Sequence, residues 1–75
     1  MTTYKKVILV FKTSVQKLTE VHKISKLLNN HHQVLNFSFD LEDCDNILRI
    51  ESINNIAKEV VHTLRKEGIY CEELE

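Results

Sequence analysis

Residues 7–21 read VILVFKTSVQKLTEV, and the spacing of the apolar side chains changes within this stretch. Its first five residues are all apolar and mostly β-branched, which predicts a central β-strand over residues 4–12. Farther along, apolar residues recur at helical intervals, at Leu18, Val21, Ile24 and Leu28. Thr13 and Gln16 have the spacing of a capping box. The stretch therefore predicts a strand that leads into an amphipathic helix over about residues 15–29.

Two more strands are predicted as a hairpin. Apolar and polar residues alternate after residue 34, and the apolar set is Leu35, Phe37, Phe39 and Leu41. This alternation predicts a strand over residues 34–41 with one buried face and one solvent-exposed face. A polar turn over residues 42–46 and an apolar stretch over residues 47–51 complete the hairpin.

A second helix and a fourth strand follow the hairpin. Apolar residues at helical spacing predict that this helix buries Ile56, Ala57, Val60, Val61 and Leu64. Ser52 or Asn54 is positioned to cap its first turn. Gly68 stands where the end of a helix favours a residue with positive φ. Residues 69–74 then predict a short closing strand.

The predicted elements follow the order β-α-β-β-α-β within a single domain, residues 1–75. Right-handed crossovers turn this order into a ferredoxin-like α+β sandwich, a four-stranded antiparallel sheet of order 4-1-3-2 with two helices on one face. This topology brings the loop after the first strand, the turn at residues 43–46 and Gly68 to one pole of the molecule. His31 and His32 lie at the other pole.

The composition is that of an ordinary small globular domain. Apolar residues account for 43% of the 75 residues and charged residues for 28%. The net charge of −1 provides no electrostatic attraction toward nucleic acid or anionic membranes, and no apolar run is long enough to cross a bilayer. No signal peptide is evident. We therefore expect a complete, cytoplasmic protein with no nucleic-acid partner and no membrane partner.

Several segments together resemble the heavy-metal-associated domain, the ferredoxin-like module of copper chaperones and metal-pumping ATPases. The matching segments are FKTSV at 11–15, VxxIxxxL at 21–28, FSFD at 37–40, ILRI at 47–50 and GIYCE at 68–72. Their order and spacing cover nearly the whole chain, and the resemblance implies the same βαββαβ fold.

The resemblance breaks at the metal-binding loop. The family binds metal through a Cys-x-x-Cys motif in this loop, whereas Lys17 and Glu20 stand at the two corresponding positions here. Cu(I) requires thiolate ligands, which an ammonium group and a single carboxylate do not replace. We therefore expect a relative that has lost its metal site and uses no cofactor.

Four other residues are weak candidates for a divergent metal site: Cys44, Cys71, His31 and His32. We expect Cys71 to point into the core as a small apolar side chain. The neighbouring carboxylates of Asp43 and Asp45 disfavour a reactive thiolate at Cys44. The histidine pair lacks the further ligands that zinc requires, with no carboxylate near it in sequence. We expect two free thiols and surface histidines.

Nothing in the sequence indicates catalysis. It contains no Gly-rich phosphate loop, and no nucleophile lies beside a base. RNA-recognition domains share the strand order and carry aromatic residues on the outer face of the sheet, whereas the register predicted here turns Phe11 inward. We expect a protein that is not an enzyme and does not bind nucleic acid.

The outer face of the predicted sheet offers the positive indication of function. Alternation along the first strand places Ile8 and Val10 on this face, and Ile47 and Arg49 of the neighbouring strand join them. An apolar patch on an uncovered sheet is typical of an interaction surface. The predicted function is a small interaction module that binds a protein partner or forms a weak homodimer through this face.

Two alternatives stay open at the level of sequence. One is a divergent metal-binding or metal-transport protein that uses Cys44, Cys71 or the histidines. The other is an ACT-like dimer that senses a small ligand, because that class of domain shares the strand order.

Overall fold

The predicted order of strands and helices is confirmed. The computed structural model describes residues 6–42 and 44–74. Within these residues the elements are β1 (Val7–Thr13), α1 (Leu18–Asn29), β2 (Val34–Asp40), β3 (Ile47–Ser52), α2 (Ala57–Lys66) and β4 (Cys71–Leu74). The sheet is antiparallel with the order β2-β3-β1-β4, which is the predicted order 4-1-3-2 read from the other edge. Residues 4 and 5 of the predicted first strand, and residue 43 of the predicted turn, lie outside the described residues.

One apolar layer joins the sheet to both helices. Leu9 and Phe11 of β1 are buried in this layer, while Ile8 between them is exposed. The two buried side chains belong to one cluster with residues of α1 and α2, namely Ile24, Leu28, Ala57, Val60 and Leu64. Both helices therefore cover the same face of the sheet, as predicted.

The first helix begins later than predicted. It begins at Leu18 rather than near residue 15, and Val15 is fully buried in the loop that precedes it. The side chain of Leu18 is 75% exposed and does not join the buried face formed by Ile24 and Leu28. An apolar residue in a buried loop gives the same sequence signal as one in a first helical turn, so periodicity alone does not separate the two.

The capping box predicted at Thr13 and Gln16 is wrong. Thr13 is the last residue of β1, and Lys17 occupies the N-cap position of α1. The carboxylate of Glu20 serves this helix end instead, because its Oε1 accepts hydrogen bonds from the backbone N–H groups of Gln16 and Lys17. The helix therefore begins one turn later than the Thr13 motif indicated.

The C-terminal end of the second helix is as predicted, whereas its N-terminal end is not. Neither Ser52 nor Asn54 caps it; Asn55 Oδ1 accepts the hydrogen bond from the N–H of Ala57, at 3.0 Å. Ser52 is buried in β3 and donates its hydroxyl hydrogen to the carbonyl of Asn54. At the other end, Gly68 has the predicted positive φ, at 78°.

The end of α2 is a Schellman motif. The N–H of Ile69 donates to the carbonyl of Leu64, and the N–H of Gly68 donates to that of Arg65, each at 3.0 Å. Ile69 is buried. This motif turns the chain sharply into β4.

The edge strand β2 departs from the predicted alternation. Its register with β3 shifts between Val34 and Asn36, so Leu35 lies in a β-bulge and is 48% exposed. Val34 packs against the core in its place. Phe37 and Phe39 are half-buried rather than fully buried, because an edge strand has a neighbouring strand on one side only.

Neither described helix is long and apolar enough to span a membrane.

Candidate functional site

The loop between β1 and α1 forms hydrogen bonds with the two turns that the topology predicted beside it. Thr13 Oγ1 donates to the carbonyl of Asn46 at 2.7 Å, which fixes the loop to the β2–β3 turn. The N–H of Ser14 donates to the carbonyl of Tyr70, and Ser14 Oγ accepts from the N–H of Tyr70. The turn after α2 is therefore fixed to the same pole.

Lys17 and Glu20, which the sequence resemblance places at metal-ligand positions, do not provide the thiolates of a soft-metal site. Lys17 is exposed. The Glu20 carboxylate accepts hydrogen bonds at 3.0 Å and 3.2 Å from the N–H groups of Gln16 and Lys17. These two backbone hydrogen bonds stabilise the charged form and lower the pKa of Glu20 below its ordinary value of 4.5. The carboxylate is thus committed to the N-terminus of α1, and the two side chains do not fit Cu(I).

The two cysteines have opposite environments. Cys44 is exposed, and Cys71 is fully buried on β4, as predicted for a core side chain. Burial raises the pKa of the Cys71 thiol to about 11, against a smaller opposing effect of the Arg65 guanidinium. Both thiols are free. Because thiolate is the ligand and the nucleophile, Cys71 is poorly suited to either role.

His31 is connected to the second helix in a way the sequence did not indicate. Its Nε2 lies 2.9 Å from Glu59 Oε2, and its Nδ1 accepts a hydrogen bond from the N–H of Gln33 at 3.2 Å. Since Nδ1 is an acceptor, Nε2 carries the proton and donates to Glu59. The ring of His32 stacks on that of His31 with centroids 5.5 Å apart. Both ring nitrogens of His31 therefore have hydrogen-bond partners within the chain.

Within residues 6–42 and 44–74, no group of three or more His, Cys, Asp and Glu side chains is arranged to hold a metal ion. The four weak candidates from the sequence lie in three different segments. His31 and His32 lie in the turn before β2, Cys44 lies in the β2–β3 turn, and Cys71 lies within β4.

The outer face of the sheet, opposite the helices, has its side chains in three cross-strand rows. The central row runs Ser38, Arg49, Val10 and Leu74. The row nearer the β2–β3 turn runs Asp40, Ile47, Lys12 and Glu72. The third runs Asn36, Glu51 and Ile8.

Four aliphatic side chains form the apolar part of the outer face. Ile8 is 53% exposed, and Val10, Ile47 and Leu74 are half-buried. Val10 lies directly beside Leu74, whereas Ile47 lies on the diagonal from Val10. Leu74 is an addition to the set expected from the sequence, and extending the alternation through residues 69–74 would have found it.

Four of the charged side chains on the outer face have a polar partner within the chain. Lys6 Nζ lies 3.2 Å from Glu51 Oε1, and Lys12 Nζ lies 3.6 Å from Asp45 Oδ1. Tyr70 donates its hydroxyl hydrogen to Glu72 Oε1. In the described part of the chain, the exposed Arg49 has no carboxylate within 4 Å, so its guanidinium faces solvent in the middle of the central row.

The chain matches no protein-family model, no curated protein and no solved structure. Its function is therefore argued from its own side chains.

Proposed function

We propose that this chain is a small, non-enzymatic interaction module of the heavy-metal-associated type, that its first loop has lost the metal site, and that it binds through the outer face of its sheet. The observation that carries the proposal is the aliphatic group Ile8, Val10, Ile47 and Leu74 on the sheet face opposite the helices. Such a group gains free energy only when another surface covers it.

The donor chemistry of the first loop supports the loss of the metal site. Lys17 replaces one expected thiolate with a cation, and Glu20 uses its carboxylate to cap a helix. A hard carboxylate oxygen is a poor ligand for the soft metals that thiolates select. The buried Cys71 does not compensate, since its thiol resists ionisation.

The non-enzymatic part of the proposal rests on how the polar side chains at this pole are used. Thr13, Ser14 and Glu20 all direct their oxygen atoms to backbone groups of the chain itself. Side chains engaged in this way fix the loop and are not poised to act as nucleophile or base on a substrate.

The charges of the outer face favour a second copy of the chain as the occupant. The described face carries three basic residues, Lys6, Lys12 and Arg49, and three acidic residues, Asp40, Glu51 and Glu72. A partner of uniform charge would gain no net attraction from this balanced pattern. A second copy presents both signs, so each Arg49 guanidinium meets a surface that also carries carboxylates.

The expected strength of this association is low. Covering four partly exposed aliphatic side chains contributes about 4–6 kcal/mol. Association itself costs about 4–15 kcal/mol in lost freedom of motion. Because a dimer covers these side chains on both copies, the gain is about twice this value, and its excess of about 4–5 kcal/mol over the lower part of the cost range corresponds to a dissociation constant of about 0.1–1 mM. The dimer is therefore transient, and a heterologous protein with a larger matching surface would displace it.

Sedimentation velocity over about 20 µM to about 1 mM tests the proposal. The sedimentation coefficient of the native chain rises with concentration, and Ile8→Lys or Val10→Lys abolishes this rise. Ile8→Lys is the cleaner variant because Ile8 is the more exposed of the two side chains. Leu18→Lys is the matched control, since it makes the same chemical change at a 75% exposed site on α1. A rise that survives Ile8→Lys, as in a dimer paired through sheet edges, or no rise at all, contradicts the proposal.

A metal titration followed by native mass spectrometry tests the loss of the metal site. The native chain retains no Cu(I) against a strong chelator, whereas the double variant Lys17→Cys with Glu20→Cys binds one Cu(I) if the loop has the geometry of the family. Stoichiometric copper on the native chain would favour the divergent metal-binding alternative.

A further inference from the structure

A trough runs between α2 and the free edge of β4. One cavity of about 290 Å³ is lined by Ala57, Lys58, Val61, His62, Arg65 and Glu73. A second cavity of about 300 Å³ shares Ala57, Lys58 and Glu73 with it and continues toward the N-terminus of α2. Together they form one open channel along the edge strand, and we call this channel the trough.

The backbone of β4 has hydrogen-bonding groups directed into the trough. Alternate residues of an antiparallel strand turn their N–H and C=O groups toward one neighbour. The N–H of Ser14 donates to the carbonyl of Tyr70. The backbone N–H and C=O groups of Tyr70, Glu72 and Leu74 therefore point toward β1, and those of Cys71 and Glu73 point toward the free edge. Arg65 Nη2 donates to the carbonyl of Cys71 at 3.3 Å, which agrees with this assignment. The backbone N–H and C=O groups of Glu73 therefore remain available for hydrogen bonding in the trough.

The opposite edge of the sheet is protected from strand addition. β2 carries the bulge at Leu35, which interrupts the regular ladder. Beside it, Asn36 Oδ1 accepts a hydrogen bond from the N–H of Phe37 at 2.9 Å. Bulges and side-chain caps of this kind are devices that prevent edge pairing. The pairing of β4 with β1 contains no bulge in the described residues, and the Arg65 side chain caps the carbonyl of Cys71 but not the backbone of Glu73.

The helix side of the trough is basic along the cavity of about 290 Å³. Lys58, His62 and Arg65 follow one another at spacings of four and three residues, so they lie on one face of α2. All three are exposed and line the trough, and Lys58 has no carboxylate within 4 Å in the described part of the chain. Glu73 is the one carboxylate that lines the cavity of about 290 Å³, and Glu59 lines only the cavity toward the N-terminus of α2. The part of the trough beside Lys58 and Arg65 therefore has a net positive charge, whereas the trough as a whole is balanced.

We propose that the trough binds an extended acidic segment of a partner protein, which pairs with the backbone of Glu73 and places its carboxylates beside Lys58 and Arg65. Strand addition supplies the affinity through backbone hydrogen bonds, and the basic face of α2 selects acidic side chains. This site is separate from the outer face, so the proposal does not depend on self-association.

Fluorescence anisotropy with a labelled Glu-Val-Glu-Val-Glu-Val peptide tests this inference. The peptide binds, and its affinity falls as the salt concentration rises. Lys58→Glu weakens binding by about fivefold or more, because it replaces attraction with repulsion at the trough. Lys66→Glu is the matched control, since Lys66 is an exposed lysine of the same helix outside the trough. It changes the affinity by less than about twofold. Thermal melts followed by circular dichroism verify that both variants fold.

Two further probes separate strand addition from attraction by charge alone. An acidic peptide N-methylated at alternate residues keeps its charge but loses backbone donors, and it binds more weakly than the parent peptide. A thymidine oligonucleotide of equal charge has no peptide backbone and also binds more weakly. Equal binding of either probe, equal loss in Lys58→Glu and Lys66→Glu, or no peptide binding up to about 1 mM overturns the inference.

Discussion

Glu20 has a structural role at the start of α1. Its carboxylate accepts hydrogen bonds from two backbone N–H groups at the start of α1, where the helix dipole also favours negative charge. These hydrogen bonds exist in the folded state only, and they lower the pKa of the group. The residue therefore contributes to stability only while it is ionised.

Glu20→Gln is expected to lower the melting temperature near pH 7. The pKa in the folded state lies below the ordinary value of 4.5, so the contribution is fully present above pH 4.5 and is lost as the pH falls through the folded pKa. The difference between variant and parent should therefore shrink as the pH falls below 4.5. Glu42→Gln, at an exposed position, is the control. A difference of constant size from acid to neutral pH would show that the carboxylate charge is not the cause.

The two cysteines are expected to react at very different rates. Cys44 is exposed and Cys71 is buried with a thiol pKa of about 11, so one thiol per native chain should react much more rapidly than the other with a disulfide-exchange reagent at about pH 8. Cys44→Ser removes this rapid reaction, and Cys71→Ala preserves it. In urea, both thiols of the parent react. Two rapidly reacting thiols in the native chain would contradict the burial of Cys71.

At the scale of the elements, aromatic side chains of the central strand and of the edge strand contribute different amounts to the free energy of unfolding. Phe11 of β1 is fully buried between the sheet and both helices, whereas Phe37 of β2 is half-buried. The ring of Phe37 meets that of Phe39 edge to face, with centroids 6.4 Å apart. A truncation at Phe37 therefore removes fewer contacts and leaves a site that solvent can fill.

Phe11→Ala is expected to lower the free energy of unfolding by about 3–5 kcal/mol and Phe37→Ala by about half as much. Urea denaturation measures both. If Phe11→Ala does not fold, the milder pair Phe11→Leu and Phe37→Leu gives the same comparison. An equal cost at the two positions would place β2 inside the sheet rather than at its edge.

The elements were predictable where one physical rule dominated. Alternation marked β2, and an apolar stretch after a polar turn marked β3. Gly68 marked the end of α2, because only a residue that tolerates positive φ ends a helix in this way. The bulge at Leu35 was not predictable, since its register is set by pairing with β3. The hydrogen bond that Asn55 accepts from Ala57 was missed because three polar residues compete within the few positions before α2.

At the scale of the whole molecule, the order of elements was enough to give the sheet order and the two poles. Handedness of crossovers leaves few ways to connect βαββαβ. The pair His31–Glu59 was not predictable, because the two residues are 28 positions apart and meet only when α2 packs beside the turn before β2. The outer face was half predictable: alternation gave Ile8, Val10, Ile47 and Arg49, while the charge pairs around them depend on the cross-strand register.

The central claim is that this chain acts through the outer face of its sheet, and residue-resolved NMR tests it most directly. Amide spectra of the native chain are recorded from about 50 µM to about 2 mM. The account predicts concentration-dependent shifts confined to the outer-face strands, including the amides of Ile8, Val10, Ile47 and Arg49. The amides of His22 and Lys66, on the solvent-exposed sides of the two helices, should not move. Shifts concentrated on the helices, or none over the whole range, would contradict the account.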